Sequence, residues 1–553
     1  MKRRTCSAAK LAAAVFFLFS VILPVGRMLF GLADTDIGKV FSGEKFQKAL
    51  LNSVTVSLTA TLISLLLAAA LAFCIARTSI RGKAFFKTIL VLPMLLPSIS
   101  HGMGLIILFG ANGILTRLFG LSTGLYGFWG IVAGSVMYSF PVAFLMLSDV
   151  LKYEDSTPYE AASVLGIPRV RRFQQITLPY LKKPLVSVIF ATFTLIFTDY
   201  GVPLMIGGKY MTLPVMMYHE VIGRLDFGRG TVIGTVLLIP AIIAFAFDLL
   251  CRERQNSQFQ TKPFDLKSGR AAKGTAYTLC TVTSVGVLTP LLSFIMLTLA
   301  NRYPVDLSLS FRHIRNALEK GAGTYLANSV IISLGVAVAG ICMAFLCAYL
   351  TARTGGRTVK ALHLVSLLSL AVPGVVLGLS YVFFFKGSFI YGTLAILILV
   401  NLVHFFASPY LMMYNSLGKL NGNLEAVGQT LGIGRMRMIK DVILPQTVPT
   451  LLEMFTYFFV NSMITISAVS FLSDAYTKPL SLMITQFEAQ LLLESSAFVS
   501  FLIFFVNLLV KGGVYFVRKS AEKYLSGKRC ISSEDGKAER REPAFQRRGT
   551  EKV

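Results

Sequence analysis

The sequence predicts an all-α, polytopic membrane protein of about twelve transmembrane helices, built as two parallel six-helix repeats. Three observations carry that prediction. Of 553 residues, 54% are hydrophobic and only 14% charged, whereas an average soluble domain carries about a quarter charged residues. Twelve stretches are mainly apolar over roughly the 20 residues that a helix needs to cross a bilayer core. The last six of these stretches repeat landmarks of the first six. Such apolar content also excludes a disordered chain, which has too little apolar surface to bury. The formal charge of +26, from 53 Lys+Arg against 27 Asp+Glu, would suggest nucleic acid in a soluble protein. In a membrane protein it encodes orientation, since cytoplasmic loops collect Lys and Arg, and no nucleic-acid partner is expected.

The first six spans are expected near 11–30, 51–76, 86–109, 128–147, 185–206 and 231–250. The second six are expected near 275–299, 328–350, 361–385, 391–414, 449–472 and 497–517. Lys2-Arg3-Arg4 ahead of the first run resembles a signal peptide, but the many spans that follow favour an uncleaved first helix. The 86–109 and 185–206 runs carry internal Pro and Gly, which a span tolerates when neighbouring helices satisfy the freed backbone groups.

Orientation comes from the short loops. Arg77, Arg81, Lys83 and Lys87 follow the second span without an acid, as Arg353, Arg357 and Lys360 follow the eighth. The 31–50 loop instead balances Asp34, Asp36 and Glu44 against three lysines. Both termini and the polar linker are therefore expected in the cytoplasm, with the chain in a bacterial cytoplasmic membrane and surrounded by lipid. On that assignment the cytoplasmic side holds 39 basic and 15 acidic residues, and the outer side 14 and 10. The expected organisation is a first half over 1–250, with a long loop at 148–184, then a linker over 251–274. A second half follows over 275–517, with a long loop at 415–448, and a basic tail closes the chain at 518–553.

The repeat can be counted. Asn52-Ser53-Val54 recurs as Asn328-Ser329-Val330, and Ala76-Arg77-Thr78 as Ala352-Arg353-Thr354, both at an offset of 276. Pro97 and Gly102 pair with Pro373 and Gly378 at the same offset. Gly166 and Pro179 pair with Gly432 and Pro445 at an offset of 266, so the second copy has lost ten residues near 121–126. An even number of spans leaves the copies in one orientation, an architecture in which substrate crosses between the halves.

Each half carries one long loop after its fourth span. The first reads Tyr159-Glu160-Ala161-Ala162-Ser163-Val164-Leu165-Gly166-Ile167-Pro168, and after a basic stretch ends in Ile176-Thr177-Leu178-Pro179. It is expected to form a helix with small residues on one side, stopped by a left-handed Gly. A short basic amphipathic helix should follow, ending before Pro179. A kinked, exposed helix of small residues suits docking into another protein's groove, and it also suits lying on anionic lipid. The second loop reads Glu425-Ala426-Val427-Gly428-Gln429-Thr430-Leu431-Gly432 and ends in Val442-Ile443-Leu444-Pro445.

Glu-Ala-Ala, three residues, Gly, nine residues and Ile-x-Leu-Pro, as spaced from Glu160 to Pro179, resembles the EAA signature of binding-protein-dependent ABC importer permeases. Two fused halves resemble the importers for ferric iron, thiamine and 2-aminoethylphosphonate. The resemblance implies the type I ABC importer permease fold, with each loop seated in a cleft of a separate cytoplasmic ATPase subunit, two copies in all. Glu160, Ala161, Ala162 and Gly166 would make the first contact, and Glu425 and Gly432 the second. An extracytoplasmic solute-binding protein would deliver a small polar solute, ferric iron or 2-aminoethylphosphonate ahead of thiamine or a polyamine. The second copy departs from the pattern, with Glu425 one residue further from its Gly and Gly428 in place of the second Ala. Unequal ATPase contacts are therefore expected, with Glu425 the less sensitive of the two acids.

The chain has no Gly-x4-Gly-Lys-Ser/Thr to cradle phosphates, so a transport subunit rather than an enzyme is expected. Seven cysteines and five histidines show no ligand spacing, and neither metal nor cofactor is expected. Ionisable groups at membrane depth are costly and mark functional candidates. His101 in the third span, and Asp199 with Tyr200 in the fifth, are accordingly expected to line the substrate path. Asn461, Ser462 and Thr465 occupy the corresponding region of the second half. The alternative is an ion-coupled secondary transporter of six plus six spans, which explains the repeat but not the two matching loops.

Overall fold

The computed structural model describes residues 2–120, 124–251, 264, 269–354 and 357–538. Most of the expected linker and the end of the tail lie outside these residues. Helix dominates what is described; the strands Ala300–Arg302 and Asp306–Leu309 form one antiparallel hairpin, with Arg302 opposite Asp306.

Among the described residues, nine helices are long and apolar enough to cross a membrane. A tenth arises if Leu394–His404 and Ala407–Gly418, bent by 53°, count as one span. The chain is a multi-pass membrane protein, and of the twelve expected spans those at 361–385 and 449–472 are not among these ten. The 361–385 span is two short helices, Thr358–Leu368 and Gly374–Phe385. Pro373 separates them, because it lacks an N–H and disfavours helix in the residue before it. The 449–472 span is the helix Leu444–Ile464, whose apolar content is diluted by Pro445, Gln446, Pro449 and Glu453. Glu453 is ion-paired with Arg518 at 2.6 Å.

The breaks themselves repeat. Ser98–Phe109 starts after Pro97 at φ −56°, ψ 147°, and Gly374–Phe385 starts after Pro373 at φ −51°, ψ 147°. The expected 185–206 span also divides. Its helix ends at Phe197 and the chain restarts as Gly201–Ile206. In the second copy, Leu444–Ile464 stops within one residue of the aligned position, with Thr465 extended.

The two copies are packed reciprocally rather than side by side. Early in the chain, Phe17 meets Phe406 edge to face at 5.0 Å, and Ser20 O accepts from Tyr381 Oη at 2.7 Å. Conversely, Arg270–Leu299 lies on the first copy's Ser98–Phe109, where Gly104 leaves room for Pro290. The last helix, Leu493–Ala538, joins the same region through Ser500 to Ser100 at 2.9 Å and Asn507 Nδ2 to Leu95 O at 3.0 Å. One continuous apolar core therefore spans both copies.

Candidate functional site

The two long loops share one backbone. Asp155 Oδ1 accepts from Thr157 N at 3.1 Å, and Asn421 Oδ1 accepts from Asn423 N at 2.9 Å, so equivalent side chains open both turns. The helices Thr157–Val164 and Leu424–Thr430 follow. Each stops at a glycine in left-handed geometry, Gly166 at φ +67° and Gly432 at φ +69°. The next N–H reaches back five residues in both, Ile167 N to Ala162 O at 3.0 Å and Ile433 N to Gly428 O at 2.8 Å. This is the Schellman stop that the sequence predicts. A Cβ on either glycine would meet nothing within 4 Å, so conformation and not space requires Gly here.

After each stop a short basic helix leads through a widened turn into a membrane helix. The first runs Arg169–Arg172, Phe173–Thr177 and Leu178–Phe197, and the second Arg435–Met438, Ile439–Ile443 and Leu444–Ile464. Apolar side chains stand in the open at equivalent positions, Leu165 (75% exposed) with Leu431 (67%) and Val170 (68%) with Met436 (79%). Exposed apolar groups on a rigid helical stop are the material of a protein–protein contact.

What fastens each loop to the membrane helices differs. Arg77, at the end of Glu44–Arg77, pairs with the buried Glu154. The Tyr159 hydroxyl donates to Glu154 and also meets Thr177 Oγ1 at 2.5 Å. Burial, reinforced by the carboxylate, pushes the Tyr159 phenol up to about 12, so the hydroxyl keeps its proton. The repeat-equivalent Arg353 pairs with Glu425, Nε to Oε1 at 2.7 Å and Nη2 to Oε2 at 2.6 Å, with side chains 5% and 15% exposed. Its guanidinium also donates to Leu420 O at 3.1 Å and Asn421 O at 2.8 Å.

The 266 offset puts Glu425 at the position of Tyr159, facing the arginine, and places the exposed Ala426 where Glu160 is exposed. Glu160 accepts from Ser156 Oγ at 3.1 Å. The one-residue displacement of the second glutamate is thus a change of facing. The Gly428 substitution has a local reason too. A Cβ there would lie 2.1 Å from Met438 Cε, whereas the equivalent pair in the first loop is the buried Ala162 with Arg172. Arg172 Nε turns instead to Ile167 O at 2.5 Å.

The expected substrate-path residues gather where the two broken helices end. Tyr200 and Ile466 are equivalent in the repeat, and Tyr200 Oη donates to Ile466 O at 3.3 Å. A contact between equivalent residues marks the axis relating the copies. Asp199 is committed locally, with Oδ1 accepting from Gly201 N at 3.3 Å and Oδ2 from Val202 N at 3.0 Å. It caps Gly201–Ile206, as a carboxylate at a helix start does. Gly201 is needed because a Cβ would lie 2.3 Å from Ser98 Oγ and 2.8 Å from Ile466 Cδ1. In the second copy the roles exchange: a Cβ on Gly374 would lie 2.4 Å from Ser467 Oγ and 3.0 Å from His404 Nε2.

His101 is buried, with Nδ1 3.2 Å from Pro97 O and its ring 5.7 Å from Tyr138. Asn461 is used within its own helix, Nδ2 donating to Tyr457 O at 2.7 Å. Thr465 offers its carbonyl to Ser481 Oγ at 2.7 Å, and the Ser462 hydroxyl is buried without a hydrogen-bond partner. Tyr138 and His404, which the sequence reading missed, are themselves equivalent at offset 266. That offset was the signal that could have found them, as the offset of 276 relates the two arginines. Among the described residues no cluster of three His, Cys, Asp or Glu is placed to hold a metal.

The profile of the family described as "Binding-protein-dependent transport system inner membrane component" matches residues 46–251 and 337–523. The chain is similar to a Haemophilus influenzae protein named as a ferric transport system permease, 25% identical over 84% of this chain and 77% of that one. It is also similar to a ferric transport system permease protein of Actinobacillus pleuropneumoniae, 25% identical over 74% of this chain and 62% of that one. A Salmonella typhi protein named for 2-aminoethylphosphonate transport is 25% identical over 45% of this chain and 91% of its own length.

Proposed function

This chain belongs to the family of binding-protein-dependent transport system inner membrane components, and we propose that it imports ferric iron. It is the transmembrane permease subunit of an ABC importer, with no part in hydrolysing ATP. The Gly-stopped helices Thr157–Val164 and Leu424–Thr430 seat in clefts of a cytoplasmic ATPase, through Glu160, Ala161, Ala162 and Gly166 on one side and Gly432 on the other. Glu425 holds the second helix to Arg353 rather than meeting the ATPase itself. Both termini lie in the cytoplasm, where the basic loops collect. A solute-binding protein delivers substrate at the opposite face, and the path runs between the copies past Tyr200, His101, Ser462 and Thr465.

The observation that carries the coupling role is the pair of identical helix stops, 266 residues apart, each presenting exposed apolar residues at equivalent positions. Each stop continues directly into a membrane helix. The first, Val170–Phe197, has 28 residues, about 42 Å at 1.5 Å per residue, and ends beside the Tyr200–Ile466 contact. Movement of the loop is therefore delivered as movement at the axis. Ferric iron is favoured over 2-aminoethylphosphonate because the ferric relatives match across both copies, while the phosphonate relative matches less than half of the chain.

The test is uptake in proteoliposomes holding this chain, the ATPase and the solute-binding protein encoded with it. Radiolabelled ferric iron should enter only with ATP and binding protein, and a protonophore should not stop it. Uptake of 2-aminoethylphosphonate alone would replace the substrate. Uptake that needs a proton gradient and no ATPase would overturn the importer reading.

A further inference from the structure

The linker between the copies places one aromatic side chain against the first loop. Phe264 lies with its ring face 3.3 Å from the Arg77 guanidinium carbon, measured to the ring centroid. Its ring meets Tyr159 edge to face at 5.1 Å, and Arg77 lies 5.1 Å from the Tyr159 centroid. Arg77 Nη1 is buried without a hydrogen-bond partner. In the second copy the corresponding guanidinium is satisfied by the carbonyls of Leu420 and Asn421. In the first copy an aromatic face from the linker takes their place, which stabilises a desolvated cation through the ring quadrupole.

The position of Phe264 along the chain matters as much as its contacts. Cys251 ends the last helix of the first copy thirteen residues earlier, and Arg270 starts the first helix of the second copy six residues later. Six residues reach at most about 20 Å when fully extended. The Arg77–Tyr159 cluster thereby touches a residue six positions ahead of a helix that packs against the first copy's third span.

We infer that Phe264 is a positioning residue: its ring straps the base of Thr157–Val164 to the membrane helices through Arg77 and Tyr159, and the second loop has no such strap among the described residues. The consequence for transport rests on the importer function proposed above, whereas the consequence for the loop does not. Amide exchange on the full chain in nanodiscs tests the loop directly. Phe264→Ala should raise exchange across 157–164 at least fivefold and leave 424–430 unchanged, and Phe264→Tyr should restore protection. Equal exchange in wild type and Phe264→Ala would overturn the inference. So would a parallel rise in both loops, which reports general loosening.

In proteoliposomes with the ATPase and binding protein, Phe264→Ala should increase ATP hydrolysed per ferric ion imported severalfold, with Phe264→Tyr near wild type. An unchanged ratio would overturn the coupling consequence. Wild-type uptake that proves independent of ATP would instead sink the importer reading, and the exchange result would still decide the strap.

Discussion

The first and second loops have the same backbone and different fastenings. Both open on a side-chain oxygen that accepts from the N–H two residues on, stop at a left-handed glycine, and run through a widened turn into a membrane helix. Both are anchored to an arginine at the end of the second span of their copy. In the first, the counter-charge is Glu154, before the helix, and Tyr159 bridges to it. In the second, the counter-charge is Glu425 on the helix itself. The difference teaches that the backbone and the arginine define the loop, while the residue that neutralises the arginine is interchangeable. A glutamate in the motif can therefore face outward, as Glu160 does, or inward, as Glu425 does, with different consequences.

The largest effect should come from breaking the inward pair. Removing one partner of a buried ion pair costs about 3–5 kcal/mol, because the other is left uncompensated. Glu425→Ala should accordingly lower thermal stability in detergent strongly, and adding Arg353→Met should recover most of the loss. Glu160→Ala should change stability by less than about 1 kcal/mol while abolishing productive contact with the ATPase. This reverses, for stability, the order that the motif spacing suggested. Equal melting temperatures for the two single mutants would show that the facings are not different after all.

Next in size is the exchange of volume between Gly428–Met438 and Ala162–Arg172. Gly428→Leu forces a side chain into the space of Met438 and should cost about 1–3 kcal/mol as overpacking. Gly428→Ala should cost less, since the nearest atom is the mobile end of Met438. Met438→Ala in the Gly428→Leu background should return most of the stability. No recovery in the double mutant would mean that the glycine answers some other constraint.

How much of this was legible follows from distance along the chain. The repeat, the two loops and their glycine stops are local patterns, since a left-handed residue or an Ile-x-Leu-Pro ending needs only neighbours to define it. Arg353 with Glu425, and Arg77 with Glu154, are 72 and 77 residues apart, and no local pattern reports such a pair. The offset of 276 did place the two arginines at equivalent positions, which was the available hint. Asp199 shows the opposite limit. Read as a charge at membrane depth it is expected to line the substrate path, and the sequence does not show that its oxygens accept from the N–H groups of Gly201 and Val202. Reading it so required knowing that the helix breaks at 198–200. The reciprocal packing of the copies, joining Phe17 to Phe406 and Ser100 to Ser500, lies entirely beyond sequence patterning.

A smaller effect sharpens the shared part of the comparison. Gly166→Ala and Gly432→Ala each force a Cβ into left-handed geometry, at roughly 1–2 kcal/mol per residue. Nothing crowds either site, so the two losses should be equal in the chain alone. A difference that emerges only when the ATPase is added would measure how closely the partner approaches each stop.

The smallest effect separates the fastenings by pH. The folded Tyr159 phenol is raised to about 12 from an unfolded value near 10, so the neutral form is the one the fold favours. Its contribution is fully present below about pH 10 and is lost as the pH rises through the folded value. The second loop has no tyrosine at the equivalent position, where Glu425 stands. Amide exchange at 157–164 should therefore be flat from pH 6 to 9, after correction for intrinsic rates, and accelerate above about pH 10 relative to 424–430. In Tyr159→Phe the phenol is gone, so the extra alkaline loss should vanish, at the cost of somewhat faster exchange at neutral pH where the bonds to Glu154 and Thr177 are missing. If the alkaline acceleration persists in Tyr159→Phe, the ionising group lies elsewhere and the hydroxyl is not part of what holds the first loop.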